Sequence, residues 1–238
     1  MIVLNKKRIA VMAMVICISV FTFVFQVAKT DETIPTMALP VTNKVIIVDA
    51  GHGSPDEGAQ SNNGTTEAQI NLNIALKLQN LIEQSGATVI LTRSDENAIY
   101  DASSETIKQK KVSDIHNRVK IGNSSSADIF VSIHLNKIPE QQYDGWQCFF
   151  QTNNEQSKTL AKSIQTNLNE SIQKENHRQA MSLNTVYIMK HVEIPTTIVE
   201  CGFLSNPEEE KRLLQDSYQL RLAWGIYNGI IDYFYEQK

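Results

Sequence analysis

Read from its amino end, the chain begins with an apolar run that has no polar face. Ile9 to Ala28 is broken only by Ser19, Thr22 and Gln26 and follows Lys6-Lys7-Arg8. About twenty helical residues at a rise of about 1.5 Å span the hydrocarbon core of a bilayer, and the basic flank stays on the cytoplasmic side. The pattern therefore predicts a transmembrane signal or anchor segment over residues 1–29, with everything after it exported. Its exit, "FQVAKTDE", lacks a small-x-small cleavage site, which favours an uncleaved anchor. Residues 30–43 are polar, contain two prolines and show no period, the mark of a linker. The folded domain is expected over 44–238.

From Lys44 onward the period alternates between two and 3.6. Short β-branched runs predict strands at Val45–Val48, Thr88–Leu91, Asp128–His134, Gly145–Phe150, Val186–Met189 and Thr196–Val199. Helical spacing predicts helices at Ala68–Gln84, Val112–Gly122, Gln156–Lys174, Pro207–Leu214 and Tyr218–Tyr235, with Asn97–Lys111 a polar loop. Thr66 and Gln69 have the spacing of a capping box, which places Glu67 in the first helical turn. Strands alternating with helices imply right-handed crossovers and an α/β domain, with helices on both faces of a mostly parallel sheet.

Composition adds exclusions. With 238 residues, 42% hydrophobic and 20% charged, the chain supports one well-cored domain. A net charge of −4 and a pI near 5.8, with scattered basic residues, argue against a nucleic-acid partner. Cys17 lies in the apolar segment; Cys148 and Cys201 sit in apolar strands and are expected as buried thiols.

In open α/β sheets ligands gather at the carboxyl ends of strands, and four chemistry-bearing residues fall there. His52 follows the first strand, His134 ends the third, Glu200 ends the last, and Glu67 starts the first helix. Two neutral imidazoles and one carboxylate, with an open fourth position, make a catalytic zinc site, so His52, Glu67 and His134 are the candidate metal ligands. Glu200, flanked by apolar residues, is then the candidate proton shuttle. Asp49 is a plausible acceptor for a histidine N–H. Asn136 and Arg118 are candidates for bracing the site or touching substrate. Asp56 and Glu57 look peripheral, and His116, His177 and His191 have no carboxylate company. Ser132 lacks a histidine base, which excludes a serine hydrolase.

Three stretches in register, "VDAGHGSPDEGAQ" with Glu67, "DIFVSIHLN" and "TTIVECGFLSN", resemble the signatures of the zinc-dependent N-acetylmuramoyl-L-alanine amidases of the Amidase_3 type. The resemblance implies a mixed, mainly parallel sheet of about six strands, one zinc ion on His52, Glu67 and His134, and catalysis by Glu200 on peptidoglycan. The stretches "ADIFVSIHLNKIPEQQYDGWQ" and "IPTTIVECGFLSNPEE" look most like its spore-cortex members, which remove peptide stems ahead of muramic-δ-lactam formation. That places the chain outside a bacterial membrane, in the space between forespore and mother cell. The alternatives are another zinc peptidase or deacetylase acting on cell wall, and a non-catalytic wall-binding protein. Ala50 and Ser54 stand where the family commonly has proline and glycine. The turn around His52 is therefore expected to be softer, and a protein partner that orders the metal site is the corresponding expectation.

Overall fold

The computed structural model describes residues 5–28 and 39–237, without the side chains of 6, 8 and 23–28. Two units result, Met1–Ala38 and Leu39–Lys238. In the first, the apolar run forms one helix, α1 (Lys6–Ala28). Among the described residues no helix is long and apolar enough to cross a membrane. The expected transmembrane segment is therefore not supported. Most of the expected linker, residues 29–38, lies outside the described residues. Leu39–Asn43 belongs to the second unit, where Val41 is fully buried.

The second unit is α/β. Its strands are β1 (Val45–Ala50), β2 (Thr88–Leu91), β3 (Ile129–Asn136), β4 (Gln147–Gln151), β5 (Met181–Leu183) and β6 (Thr196–Phe203). They form one sheet in the order β2-β1-β3-β6-β4-β5, parallel except where β4 runs antiparallel to β6. The mixed, mainly parallel sheet of six strands is as expected. Alternation puts Ile46, Val48, Val131, Ile133, Val199 and Cys201 on one face. There they pack under α2 (Glu67–Gln84), α4 (Glu155–Ile172) and α7 (Asp216–Glu236) in the main core. The other face carries a smaller cluster, in which Ile47 and Phe130 meet Val119 of α3 (Ile107–Ser124) and Ile188 of α5 (Tyr187–His191). A short helix, α6 (Pro207–Leu213), follows β6. Cys148 and Cys201 are buried free thiols.

Three expectations change. Helix α3 begins at Ile107, inside the expected loop, under a capping box made by Thr106 and Gln109. Its buried residues, Asp114, Arg118, Val119 and Gly122, lie within the expected Val112–Gly122 helix, whereas the added turn, residues 107–111, buries none of its side chains and carries no apolar period. Val186–Met189 is not a strand, because Ile188 and Met189 are buried from a helical turn. The edge position goes instead to Met181–Leu183, paired with β4 and mostly exposed, so no apolar run marks it. The capping box at Thr66 does not form. The loop before it folds back, and the Glu67 and Ala68 N–H groups donate to the Ala59 and Glu57 carbonyls, 2.8 and 3.2 Å.

Candidate metal centre

Strands β1, β3 and β6 are parallel neighbours, so their carboxyl ends lie side by side. His134 and Glu200 are register partners on β3 and β6, both lying inside the strands rather than ending them. The β1 chain continues to Gly51, whose N–H donates to the Ile133 carbonyl at 3.0 Å, and turns sharply at His52 (φ 63°) and Gly53 (φ 144°). A non-glycine residue in the left-handed region is uncommon, and here buried arginines hold it. Arg93 Nε and Arg118 Nη1 donate to the Ala50 carbonyl at 2.9 and 2.7 Å. Arg93 Nη2 reaches the Gly51 carbonyl at 3.1 Å and Arg118 Nη2 the His52 carbonyl at 2.6 Å. Guanidinium donors thus satisfy the carbonyls that the ladder abandons where the chain leaves the sheet.

His52, Glu67 and His134 come together, each offering one ligand atom, all within 4.8 Å of one another. The Glu67 carboxylate lies between the rings, 3.0 Å from His134 Nδ1 and 3.3 Å from His52 Nε2. The ring centroids are 5.1 Å apart, edge to face. Glu67 also accepts N–H bonds from Ala59 (2.8 Å) and Leu135 (3.0 Å) and one from Asn71 Nδ2 (3.3 Å). Burial opposes its ionisation, but hydrogen bonds and charge from His134 and His52 outweigh that and hold it well below the usual carboxylate range. For His52 burial likewise opposes the charged form, and the carboxylates of Asp56 and Glu67 prevail, raising it to about 9.

Space for the cluster depends on two glycines. A Cβ on Gly51 would sit 2.4 Å from the His134 ring, and one on Gly58 2.6 Å from Glu67 Oε2 and 2.7 Å from the His52 ring. Beside them a cavity of about 220 Å³ is bounded by His52, His134, Asp56, Lys111, Val112 and Ile188.

Glu200 faces the cluster from β6. Its Oε2 is buried and has no hydrogen-bond partner among the described residues. Burial pushes its carboxyl up to about 7, with His134 pulling it down and Glu67 adding to the rise.

Asp49 is not the acceptor for a histidine. It is fully buried and takes bonds from Thr92 Oγ1 (2.7 Å), Arg118 Nη1 (2.5 Å) and Ser132 Oγ (2.5 Å). The histidine acceptor is Asp56, which read as peripheral in the sequence: its Oδ2 is 3.1 Å from His52 Nδ1. The only sequence signal for it was its place four residues after His52. Arg118 braces the turn and is itself fixed by Asp114 at 2.8 Å. Arg93, Asn71 and Lys111 had no signal at all. Asn136 closes β3 and accepts the Leu204 N–H through its main-chain carbonyl at 2.9 Å, beside the register shift after His134. His116 and His191 flank the Tyr187 ring, and His177 pairs with Glu175 on the surface, all outside the metal cluster.

Residues 46–232 match the family described as Amidase_3, N-acetylmuramoyl-L-alanine amidase. The chain is 34% identical over 220 residues to the germination-specific N-acetylmuramoyl-L-alanine amidase of Bacillus subtilis (strain 168), covering 92% of each. Among solved structures it resembles the CwlD amidase from Clostridioides difficile in complex with the GerS lipoprotein. That match has 43% identity and a TM-score of 0.80, over 82% of this chain and 100% of that one. It also resembles an N-acetylmuramoyl-L-alanine amidase from Clostridium difficile 630, at 28% identity and a TM-score of 0.72, over 83% and 100%. A family match spanning residues 46–232, which takes in the strands bearing His134 and Glu200, and a relative alike over 92% of both chains make this protein a member of the Amidase_3 family of N-acetylmuramoyl-L-alanine amidases.

Proposed function

We propose that this chain hydrolyses the amide bond between the lactyl group of N-acetylmuramic acid and L-alanine using zinc held by His52, Glu67 and His134. The donor set fits that ion: two imidazole nitrogens and a carboxylate oxygen suit zinc, and Gly51 and Gly58 keep clear the space a Cβ would take. Zinc bound there would supply Lewis acidity toward the scissile carbonyl and increase the acidity of water.

The rest of the chemistry falls to the chain. The observation that carries the reading is the partnerless carboxylate oxygen of Glu200, in register with His134 at the edge of the metal cluster. Glu200 takes a proton from the attacking water and delivers it to the departing alanine nitrogen, a task suited to a carboxyl near neutrality. Asp56 orients the His52 ring, and the two buried arginines keep the turn in place.

The substrate we assign is spore-cortex peptidoglycan, with stem removal as the first step toward muramic-δ-lactam. The germination-specific relative supports this role. The site of action is then the exported side of a membrane, between forespore and mother cell, with α1 as tether. Support for the tether is the exposed apolar surface of α1, from Ile9 to Phe21, behind a basic flank. A lipoprotein partner fits the same picture, since the CwlD amidase was solved with one.

Product analysis tests the activity. Purified protein acting on peptidoglycan should expose L-alanine amino termini and leave glycan N-acetyl groups intact. Released acetate would identify a deacetylase, and amino termini other than L-alanine a peptidase. Spores lacking the protein should contain cortex without muramic-δ-lactam.

A further inference from the structure

Helix α3 touches the His52 turn at two points on one face, about two turns apart. Arg118 holds its backbone, and seven residues earlier Lys111 reaches the carboxylate that holds its ring. Lys111 Nζ is 2.7 Å from Asp56 Oδ1, while Asp56 Oδ2 is 3.1 Å from His52 Nδ1. The Gly58 N–H adds a third, longer bond to Asp56 Oδ1 at 3.3 Å. The Asp56 carboxylate therefore spans the loop and the helix, with one oxygen for each. His52 Nε2 is left pointing at Glu67, 3.3 Å from its Oε2. We propose that Lys111 is a positioning residue for the metal site: by fixing the Asp56 carboxylate, it sets the His52 tautomer and ring orientation that present Nε2 to the metal.

The physical case rests on which atom binds. A ligating imidazole donates its second N–H to an acceptor that fixes the ring, and loss of such an acceptor typically weakens metal binding 10–100-fold. Asp56 sits in a loop, and its backbone is tied through Gly53, with N–H to carbonyl bonds of 2.9 and 2.8 Å in the two directions. Those bonds fix its Cα, and within the loop only the His52 ring and the long Gly58 N–H bond at 3.3 Å restrain its carboxylate, which keeps some freedom to rotate. Lys111 removes that freedom, and it comes from a helix already anchored to β1 by the buried Arg118–Asp49 pair, with Asp114 of the same helix holding Arg118 in place. Because the Lys111 side chain is 51% exposed, its attraction to Asp56 is partly screened by solvent. Its effect should accordingly be smaller than that of Asp56.

The inference rests on the zinc reading above, and its test reads metal affinity rather than turnover. The metal-free full chain, in detergent, is titrated with zinc against a chromogenic chelator, for wild type and for Asp56→Asn, Lys111→Met, Lys111→Arg and Lys108→Met. Asp56→Asn should weaken zinc about 10–100-fold, and Lys111→Met about 3–10-fold. Lys111→Arg should stay within about twofold of wild type, because it keeps a donor for Asp56 Oδ1. Lys108→Met removes an equal charge from the same helix without touching Asp56 and should leave affinity unchanged. Melting of the metal-free Lys111 variants should match wild type, since a half-exposed side chain adds little to the fold. Wild-type affinity in Lys111→Met, or an equal loss in Lys108→Met, would overturn the inference while leaving the zinc reading intact. Failure of wild type to bind zinc would overturn both.

Discussion

His134 and Glu200 face each other across β3 and β6 as register partners. Parallel pairing of these strands brings together two residues 66 positions apart, one in the metal cluster and one carrying a buried, partnerless oxygen. The proposed metal ligand and the proposed proton carrier thus lie on adjacent strands of one sheet.

Separating the two roles is the first expectation. Glu200→Gln keeps the shape of the side chain and loses the base. Zinc stoichiometry measured by atomic absorption should stay near wild type, while kcat/KM for peptide release falls by about 10²–10⁴. Equal loss of metal and turnover would show that Glu200 acts by holding the ion.

Gly51→Ala tests the space around His134 without a positive φ to confuse the outcome. The new Cβ would meet the imidazole at 2.4 Å, so the ring must move by more than half an ångström. Displacements of about 1 Å at a reacting centre cost about 10²-fold; turnover should fall by that order, and zinc affinity with it. Gly64→Ala is the control. Nothing lies within 4 Å of its Cβ, although its φ of 88° is strained for alanine. It should cost about 1 kcal/mol of stability and leave the chemistry alone.

Arg118→Met should be among the most damaging substitutions in urea unfolding. Burial alone would push Asp49 up, yet Arg118, with help from the Ser132 and Thr92 hydroxyls, holds its carboxyl below the usual range. Removing the guanidinium strands that charge in the interior, at a cost of about 3–5 kcal/mol, and frees the His52 carbonyl. A cost below 1 kcal/mol would mean that water reaches Asp49.

Glu209 gives a pH signature. Fully buried at the start of α6, it accepts the Gly145 and Phe203 N–H groups at 2.9 Å each. Burial nevertheless raises its carboxyl from 4.5 to about 7. The folded chain binds that proton more tightly than the unfolded one. The contribution to stability is therefore complete below about pH 4.5 and is lost as pH rises through about 7. Between pH 5 and pH 8 wild type should lose about 2 kcal/mol more than Glu209→Gln. Parallel pH dependence of the two proteins would place the titration elsewhere.

The elements built on apolar periodicity are legible in the sequence, their exact ends less so: β3 and β6 run on past His134 and Glu200. β2 and the α2 core face follow directly from their spacing, and His52, Glu67, His134 and Glu200 stand out because the pattern puts them near the carboxyl ends of strands and at a helix start. Helix α3 is legible over Val112–Gly122, but its first turn, residues 107–111, buries none of its side chains and leaves no apolar period. β5 escaped because an edge strand with little buried area leaves no apolar trace.

The sequence by itself determined the alternation of strands and helices outside β5 and α5, the three signature stretches and the set of candidate ligands, because burial patterns and motifs are local and written along the chain. Only the tertiary structure decided which polar group serves which. Asp49, three residues from His52, turns inward to Arg118, Thr92 and Ser132. Asp56, on the far side of the turn, takes the imidazole, and Lys111 arrives from a helix 55 residues further on. Charged and hydrogen-bonding partners are chosen by distance and direction in space. A buried carboxylate pairs with whichever donor the fold brings within about 3 Å.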